Sequence, residues 1–564
     1  MSSIFKVMMI KYLFVLLLPL LCHSLATQPR RRCRFGDICW PSESTWQDFN
    51  KSIDGRLIRT FPSAAVCHGP TYDLGECDEA KEEWDNSFWR TNQTGAYTAI
   101  LWELGNQQCY INSSRTDPCQ PGLAVPHYSV AADSVADIQA AVKFANEKDL
   151  YLVVKNTGHD HLGRSSGQGS FSIWTHNLKG RQWTDNYVVE GAPEGAQGVP
   201  AVTLQAGEQW LDVYRAAAEQ HVIVVGGHAR TVGAAGGWLT GGGHSAWSNL
   251  YGLGVDNVLE ISLVDARGQH VTLNQYTDPD YFYAIRGGGG SAWGVVTSVT
   301  YKTHPEPSHI QVAFVQANAT TNSSLRPVLQ RSLGALVNMT DAGYTGYGYL
   351  SNGFNALFIR PGGTNEDLKR GSAAFQAIGQ VDGASVGILN YTFPSWLDYC
   401  DAFLQDPNIA QNVMDASRLL TPDMAFNKAD QIVDMMLDLG EEYYPFFNFI
   451  GKVNSAERNN TSVHPIWREG RAIMSFGTDW EDTAPEAEKH QKRLLLVDMS
   501  KRWSKIAGPN EGTYVNEANP FEPNWQKVFW GSNYERLMKI KKQKDPTNLF
   551  VCNRCVGTDV VYRP

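Results

Sequence analysis

Two histidines lie one residue apart in a glycine-containing turn. His159 and His161 belong to the segment VKNTGHDHLGRSS, residues 154–166, which overlaps the end of the apolar run Tyr151–Lys155. An imidazole in such a turn can ligate a metal ion, accept a proton or carry a covalently attached group. It can equally be an ordinary turn residue. The pattern alone therefore leaves four interpretations open.

Two further segments concentrate glycine behind apolar runs, Gly226–His244 and Arg286–Gly294. Glycine lets the backbone approach phosphates closely and direct several N–H groups at them, so a nucleotide pyrophosphate is the natural ligand. Neither segment ends in the Gly-Lys-[Ser/Thr] of a P-loop, and neither gives G-x-G-x-x-G between a strand and a helix with an acid beyond. Together, the three glycine turns predict a nucleotide site that belongs to neither of those classes.

The three turns belong to a larger set of motifs that is similar to one flavoprotein family. The set consists of Asn156–Asp160, Val232–His244, Tyr251–Val258, Ala284–Gly294, Trp530–Tyr534 and Asp545–Phe550. In order and spacing it resembles the berberine-bridge-enzyme-like FAD-linked oxidoreductases, a branch of the vanillyl-alcohol-oxidase superfamily with a PCMH-type FAD-binding domain. More narrowly, the cysteine-rich N-terminal segment resembles that of secreted fungal enzymes of the isoamyl-alcohol-oxidase type.

The resemblance implies an α+β fold. A PCMH-type FAD-binding domain of two α/β subdomains, built from both chain ends, would surround an inserted α+β substrate domain. The expected divisions are a signal peptide (1–26), a cysteine-rich segment (27–120), the FAD-binding domain (121–305), the substrate domain (306–505) and a C-terminal segment that completes the FAD domain (506–564).

The resemblance also implies FAD as the cofactor, attached through its 8α-methyl group to His159. Many relatives carry a second tether, a cysteine just before Thr-Val-Gly, but residues 227–231 read GHART and contain none. A single attachment is therefore expected, with His228 close by. The residues expected at the cofactor are Asn156, Thr157, Gly158, His159, Gly233, Gly236, Gly237, Gly241, Gly242, Gly243, His244, Asp256, Asn257 and Asn516.

The expected reaction is hydride transfer from an alcohol or phenolic metabolite to FAD, followed by reoxidation with oxygen to give hydrogen peroxide. His161 stands where relatives often carry a tyrosine, and Tyr514 and Asn516 form the family's Tyr-x-Asn motif. His161 and Tyr514 are thus the candidate catalytic residues. Relatives commonly have a second tyrosine directly after that motif, whereas this chain has Glu517.

Three alternatives remain open from the sequence. A carbohydrate oxidase of the same fold would use the same cofactor. A copper or zinc site could draw on His159, His161, His228 and His244, but no surrounding carboxylate or cysteine pattern supports it, so no metal is predicted. A secreted glycoprotein that keeps the fold without turnover is the third.

The N-terminus and the cysteines predict export. Lys6 and Lys11 precede a short apolar run, and Ser24-Leu25-Ala26 offers a signal-peptidase site. Cysteines cluster before residue 120, as disulfides in an oxidising compartment would, and Cys400 is the expected free thiol. N-glycosylation sequons begin at Asn50, Asn92, Asn112, Asn318, Asn322, Asn338, Asn390, Asn459 and Asn460.

Composition and periodicity predict a mixed globular protein. The chain of 564 residues has 43% hydrophobic residues and a net charge of −10, which argues against general binding of nucleic acid or anionic membrane. We expect the elements to alternate between strand and helix over residues 133–225 and the middle region to be more helical. The predicted strands are 151–155, 202–206 and 222–225, and the predicted helices are 133–145, 210–220, 330–337, 423–439 and 534–542.

Overall fold

The computed structural model describes residues 32–105, 108–406, 408–453, 456–457, 459–558 and 560–564. The predicted signal peptide, residues 1–26, lies outside the described residues. Within these ranges, no helix combines the length and the apolar character needed to cross a bilayer.

Two sheets are formed by strands between residues 57 and 305. The first has the order β1-β2-β4-β3, with β2, β4 and β3 mutually parallel, and the second has the order β5-β6-β10-β8-β9, with β7 also pairing with β10 and every pair antiparallel. The first sheet comprises β1 (Leu57–Arg59), β2 (Tyr128–Ala131), β3 (Leu152–Lys155) and β4 (Phe171–Trp174). The second comprises β5 (Arg181–Tyr187), β6 (Val199–Gln205), β7 (Val222–Val224), β8 (Val258–Val264), β9 (His270–Leu273) and β10 (Val295–Pro305).

The third sheet has seven strands, all antiparallel, in the order β14-β11-β13-β12-β16-β17-β15. It comprises β11 (Ile310–Ala319), β12 (Thr345–Leu350), β13 (Gly353–Pro361), β14 (Ala384–Phe393), β15 (Val413–Leu420), β16 (Phe446–Phe449) and β17 (Ala472–Asp479). All its strands come from the segment predicted to form the substrate domain. The exact boundaries at 306 and 505 stay predictions.

The α-helices connect and cover these sheets. They are α1 (Glu43–Ser52), α2 (Leu74–Glu82), α3 (Ser87–Thr91), α4 (Leu101–Leu104), α5 (Val135–Glu147), α6 (Trp210–Glu219), α7 (Gly237–Thr240), α8 (Ser248–Tyr251), α9 (Pro279–Ile285), α10 (Asn322–Asp341), α11 (Asn365–Ile378), α12 (Trp396–Phe403), α13 (Pro422–Asn427), α14 (Ala429–Leu439), α15 (Glu486–Ala507), α16 (Trp525–Trp530) and α17 (Tyr534–Lys544). Short 3₁₀ turns complete the set.

Local sequence explains the elements that were predicted well. Helix α5 begins at the capping box of Ser134 and Asp137, and it buries Ile138 and Val142 against the first sheet. The helix predicted at 330–337 is much longer, because Thr321 caps it at Asn322. The segment predicted to be helical at 423–439 is helical except at Lys428, whose non-helical dihedrals divide it into α13 and α14.

Four disulfides cross-link irregular parts of the described chain. They join Cys33 to Cys39, Cys67 to Cys77, Cys109 to Cys119, and Cys552 to Cys555. Each closes a loop of at most ten residues, so each constrains local conformation and leaves the two ends of the chain unlinked. Cys400 carries a buried free thiol, as predicted.

Candidate active site

A cavity of about 780 Å³ lies between the glycine turns and the third sheet. Directly opposed residues of antiparallel strands share one face of a sheet. The pairs Tyr347–Leu357, Tyr347–Asn448 and Phe446–Ser475 therefore form one continuous surface, and all of these residues line the cavity. The opposite wall consists of the turn at residues 156–165 and parts of both glycine-rich segments, and the C-terminal segment adds Tyr514, Asn516 and Glu517.

The N-terminal cysteine-rich segment supports the turn that carries His159. Gly158 has a φ of +89°, and a Cβ at this position would lie 3.0 Å from the carbonyl oxygen of Ala96. The Thr98 amide donates a hydrogen bond to the Gly158 carbonyl over 3.0 Å. Only glycine combines this backbone conformation with such a close neighbour, so the position of the following imidazole depends on Gly158.

His159 is held by a hydroxyl group on the glycine-rich segment. Its Nε2 lies 2.8 Å from Thr231 Oγ1. The Thr231 amide in turn donates to Asp406 Oδ1 over 3.0 Å. Burial lowers the pKa of His159 to about 4, against the opposing effect of the Asp406 carboxylate. The imidazole is therefore neutral at physiological pH, with Nε2 engaged and Nδ1 on the other edge of the ring.

The glycine segments form a slot with the properties that an FAD group requires. A Cβ on Gly237 would meet no atom within 4 Å, and one on Gly290 would lie 3.4 Å from the Gly237 Cα, so backbone faces backbone across a narrow gap. Asn156 and Trp293 line the same cavity, and their buried atoms Asn156 Oδ1 and Trp293 Nε1 find no hydrogen-bond partner among the described residues. Unpaired buried polar atoms beside a backbone-lined slot suit a polar, extended cofactor.

Asn516 ties three segments together at the edge of this slot. Its Nδ2 donates to the Gly237 carbonyl over 2.8 Å, and its Oδ1 accepts from Arg164 Nη2 over 3.1 Å. The Tyr514 hydroxyl lies 2.9 Å from the same Nδ2. A side chain on Gly241 would collide with the Asn516 amide, so that glycine provides the space in which Asn516 sits.

His161 forms a pair with a carboxylate from the third sheet. Its Nδ1 lies 2.8 Å from Asp415 Oδ2. Burial alone would lower the pKa of His161, but the hydrogen bond and charge of Asp415, with Glu517 and Asp160, raise it to about 9. Gly477, opposite Asp415 on β17, leaves the space for this carboxylate, because a Cβ there would lie 2.7 Å from Oδ1. His161 is thus an imidazolium at neutral pH.

A second carboxylate–imidazole pair faces the same cavity. Glu517 Oε1 lies 3.2 Å from His244 Nε2, and Asn448 Nδ2 donates to Oε2 over 3.4 Å. Burial raises the pKa of Glu517, but the neighbouring imidazoles outweigh it and lower the pKa overall. Burial and the nearby Glu517 charge both raise the pKa of Tyr514, so its phenol keeps its proton.

Eleven of the residues predicted for the site line this cavity, and five lie elsewhere. Those lining it are Asn156, Thr157, Gly158, His159, His161, Gly233, Gly236, Gly237, His244, Tyr514 and Asn516. Gly241, Gly242, Gly243, Asp256 and Asn257 are not among its lining residues in the described part of the chain. The amides of Gly241 and Gly242, expected at the pyrophosphate, donate instead to carbonyls of α7.

Asp256 and Asn257 shape the scaffold instead of the cavity. The Asp256 carboxylate receives two hydrogen bonds from Arg468, over 2.6 and 2.8 Å. Asn257 Nδ2 donates to the carbonyls of Tyr251 and Leu253, over 2.9 Å each. Among the described residues, these side chains therefore make their hydrogen bonds within the protein.

His159, His161, His228 and His244 are the histidines that were considered as metal ligands. In the chain as described, no group of three histidine, cysteine or acidic ligand atoms that converge closely enough includes His159, His161, His228 or His244. The centroid of the His228 ring lies 4.0 Å from that of Tyr347, with the two rings tilted by 35°, on the wall of the cavity.

Asp415 and Thr231 are two residues of the site that the sequence did not predict. Asp415 lies in the middle of strand β15, a position from which aspartate is normally depleted. That mismatch between residue and element was the signal that could have drawn attention to it. Thr231 carried no such signal, because threonine is common in strands and loops alike.

Comparison with known proteins agrees with this geometry. Residues 126–274 match the family model of the FAD binding domain, and residues 513–556 match the model described as berberine and berberine like. The fold and the site thus define an FAD-dependent oxidoreductase.

The chain is 55% identical over 559 residues to an uncharacterized FAD-linked oxidoreductase of Arthroderma benhamiae, an alignment that covers 98% of this chain and 99% of that protein. It belongs to the berberine-bridge-enzyme-like FAD-linked oxidoreductases of the vanillyl-alcohol-oxidase superfamily.

Solved structures give the same fold. The VAO-type flavoprotein MtVAO615 of Myceliophthora thermophila C1 superposes with a TM-score of 0.86 at 29% identity, over 94% of this chain and 98% of that one. Glucooligosaccharide oxidase of Acremonium strictum superposes with a TM-score of 0.64 at 18% identity, over 89% of this chain and all (100%) of that one, and its FAD is described as 6-S-cysteinyl, 8α-N1-histidyl.

Proposed function

We propose that this protein is an oxidase that removes a hydride from an alcohol or phenolic metabolite and passes it to FAD bound covalently through His159. Bound in the glycine slot, FAD supplies the two-electron acceptor, and molecular oxygen takes the electrons on to give hydrogen peroxide. The observation that carries this proposal is the neutral His159 beside the slot, with Nε2 occupied by Thr231 and Nδ1 left to form the bond.

The remaining polar groups of the cavity bind and orient the substrate. His161, held as an imidazolium by Asp415, donates a hydrogen bond to the substrate oxygen. Tyr514, which keeps its phenolic proton, donates a second one from the C-terminal side. The aromatic rings of Tyr347, Phe403 and Phe446 bury the body of the substrate and exclude water from the reacting carbon.

The tether is tested by acid precipitation of the purified protein. We expect the yellow flavin to stay in the precipitate of the wild type and to appear in the supernatant of His159→Ala. Flavin that remained in the His159→Ala precipitate would refute the assignment. The Ala229→Cys variant extends the test, because Ala229 lines the cavity in the segment where many relatives have a cysteine.

The reaction class is tested by a peroxide assay. We expect peroxide from at least one member of a panel that contains benzyl alcohol, para-hydroxybenzyl alcohol, isoamyl alcohol and cellobiose. The resemblance to fungal FAD-linked oxidoreductases, many of which act in secondary metabolism, favours the aromatic members. Oxidation of cellobiose alone would instead support a carbohydrate oxidase, and a flavin-loaded protein that released no peroxide with any member would support the inert glycoprotein.

We also propose that the protein is secreted and N-glycosylated. Four disulfides and nine sequons support this, since every sequon asparagine is exposed or half-buried on the surface. Protein recovered from the medium of a fungal culture should lose mass when treated with peptide N-glycosidase. An unchanged mass would contradict the glycosylation.

A further inference from the structure

Four titratable side chains from four separate parts of the chain meet on the substrate side of the cavity. They are His161 from the turn, His244 from the glycine-rich segment, Asp415 from β15 and Glu517 from the C-terminal segment. Two carboxylate–imidazole pairs result, with lengths of 2.8 Å for His161–Asp415 and 3.2 Å for His244–Glu517. The two pairs interact electrostatically, because His161 and Glu517 each alter the pKa of the other.

The two carboxylates differ in how far they are already engaged. Asp415 makes the shorter contact, 2.8 Å to the His161 imidazolium, and its carboxylate is occupied by that hydrogen bond. Among the described residues, the Glu517 carboxylate makes a 3.2 Å contact with His244 and a long 3.4 Å contact with Asn448. Its side chain keeps 23% of its surface exposed within the cavity, where a substrate hydroxyl can approach it.

Resting on the oxidase function proposed above, we propose that Glu517 is the base that accepts the hydroxyl proton of the substrate, while His161 donates a hydrogen bond to the same oxygen. The O–H bond breaks and its proton goes to the Glu517 carboxylate, which becomes a neutral acid. The C–H bond breaks and its electron pair leaves with the hydrogen as hydride to the flavin. The substrate carbon gains a double bond to oxygen, and an aldehyde or ketone results.

The charges around Glu517 suit this role. The groups that face it are His244, His161, Tyr514, Tyr347 and Asn448. Burial and the Glu517 charge raise the pKa of both tyrosines, so these phenols keep their protons. Only the imidazoles offset the carboxylate, and they keep it ionised and ready to accept a proton at neutral pH. The imidazolium of His161 stabilises the negative charge that develops on the substrate oxygen.

The alternative base, His161, makes the opposite prediction for pH dependence. Its pKa is raised to about 9, so it would act as a base only after losing a proton, and the rate would rise with pH through about 9. Glu517 has a lowered pKa, so the rate it supports would be complete at neutral pH and would fall only on acidification. The two assignments are therefore separable in a single pH series.

The first test measures anaerobic flavin reduction by whichever alcohol of the panel gives most peroxide. We expect Glu517→Gln to lower this rate by at least about a hundredfold, the usual minimum for a lost general base, and to abolish its acid limb. Glu517→Asp should retain part of the rate. The matched control is Glu535→Gln, an exposed glutamate of α17 outside the cavity, which should match the wild type. A Glu517→Gln rate within tenfold of the wild type, or a wild-type rate that rises through about pH 9, would overturn the proposal.

The second test needs no substrate. Infrared difference spectra between neutral pH and about pH 3 should show a carboxyl group that becomes protonated in the holoenzyme and is missing in Glu517→Gln. A Glu517 carboxyl that is already protonated at neutral pH would overturn the proposal. If no alcohol of the panel is oxidised by the wild type, the oxidase function fails, and the infrared result still decides the state of Glu517. Unchanged flavin content and melting temperature in Glu517→Gln separate a lost base from a lost fold.

Discussion

Replacing Asp415 by asparagine should destabilise the protein in a pH-dependent way. The folded protein holds the pKa of His161 at about 9, whereas the ordinary value of a histidine is about 6.5. A raised folded pKa contributes stability that is fully present below about pH 6.5 and is lost as the pH rises through about 9. Asp415→Asn removes the main cause of the shift, so the variant should lose most of this stabilisation.

The magnitude follows from the size of the shift. One pKa unit corresponds to about 1.4 kcal/mol, so the full contribution is about 3 kcal/mol. The His161 side chain is 32% exposed, however, and solvent screening lowers the expectation to about 2 kcal/mol. In a chain of this size, we expect the melting temperature to fall by about 2 °C below pH 6.5 and to approach the wild-type value above about pH 9.

Differential scanning fluorimetry of both proteins across this pH range measures the effect. The control is a double-mutant cycle with His161→Gln, in which Asp415→Asn should have no pH-dependent effect. A difference in melting temperature that stayed constant from pH 6 to pH 10, or one that persisted in the His161→Gln background, would refute the electrostatic reasoning.

Three further predictions follow from the site and from the cysteines. Thr231→Val removes the hydroxyl that is hydrogen-bonded to His159 Nε2. The fraction of flavin that stays in the acid precipitate should therefore fall, while total flavin binding persists. An unchanged fraction would contradict this positioning role of Thr231. Gly241→Ala introduces a methyl group that would collide with the Asn516 amide. Because Asn516 would be displaced from the edge of the slot, the purified variant should show a lower flavin-to-protein absorbance ratio than the wild type. An equal ratio would show that Asn516 can move aside. Cys400, the free thiol of the described residues, should react with a thiol reagent only after unfolding; rapid reaction of Cys400 in the native protein would contradict its burial.

Several residues on the glycine-turn side of the cavity could be identified from the sequence because that side is local. The turn around Gly158 and the segment that leads to Gly237 are each a single continuous stretch of the chain. Their backbone geometry follows from glycine at fixed positions. The helix cap at Ser134, at the start of α5, could be predicted from the sequence for the same reason. In each case, the residues that decide the structure are neighbours in the chain.

The substrate side could not be predicted in the same way. Asp415 meets His161 across 254 residues, and nothing in either segment encodes that contact. Asp256 shows the converse, because its place in a glycine motif suggested a cofactor role, while its real partner, Arg468, lies 212 residues away. Contacts between the third sheet and the glycine turns join residues that are far apart in the sequence. The sequence alone therefore did not reveal which charges set the pKa values of the site.

Asn516 and its neighbours, which lie near the end of the chain, complete the wall of the cavity. The Asn516 amide joins the turn at Arg164 to the backbone of Gly237, and the neighbouring Tyr514 and Glu517 complete the wall. A ribosome must therefore have polymerised more than nine-tenths of the 564 residues before these groups exist. The closed cavity can therefore form only late in synthesis or after it, and a chain truncated before residue 514 would lack the part of the wall that Tyr514, Asn516 and Glu517 supply.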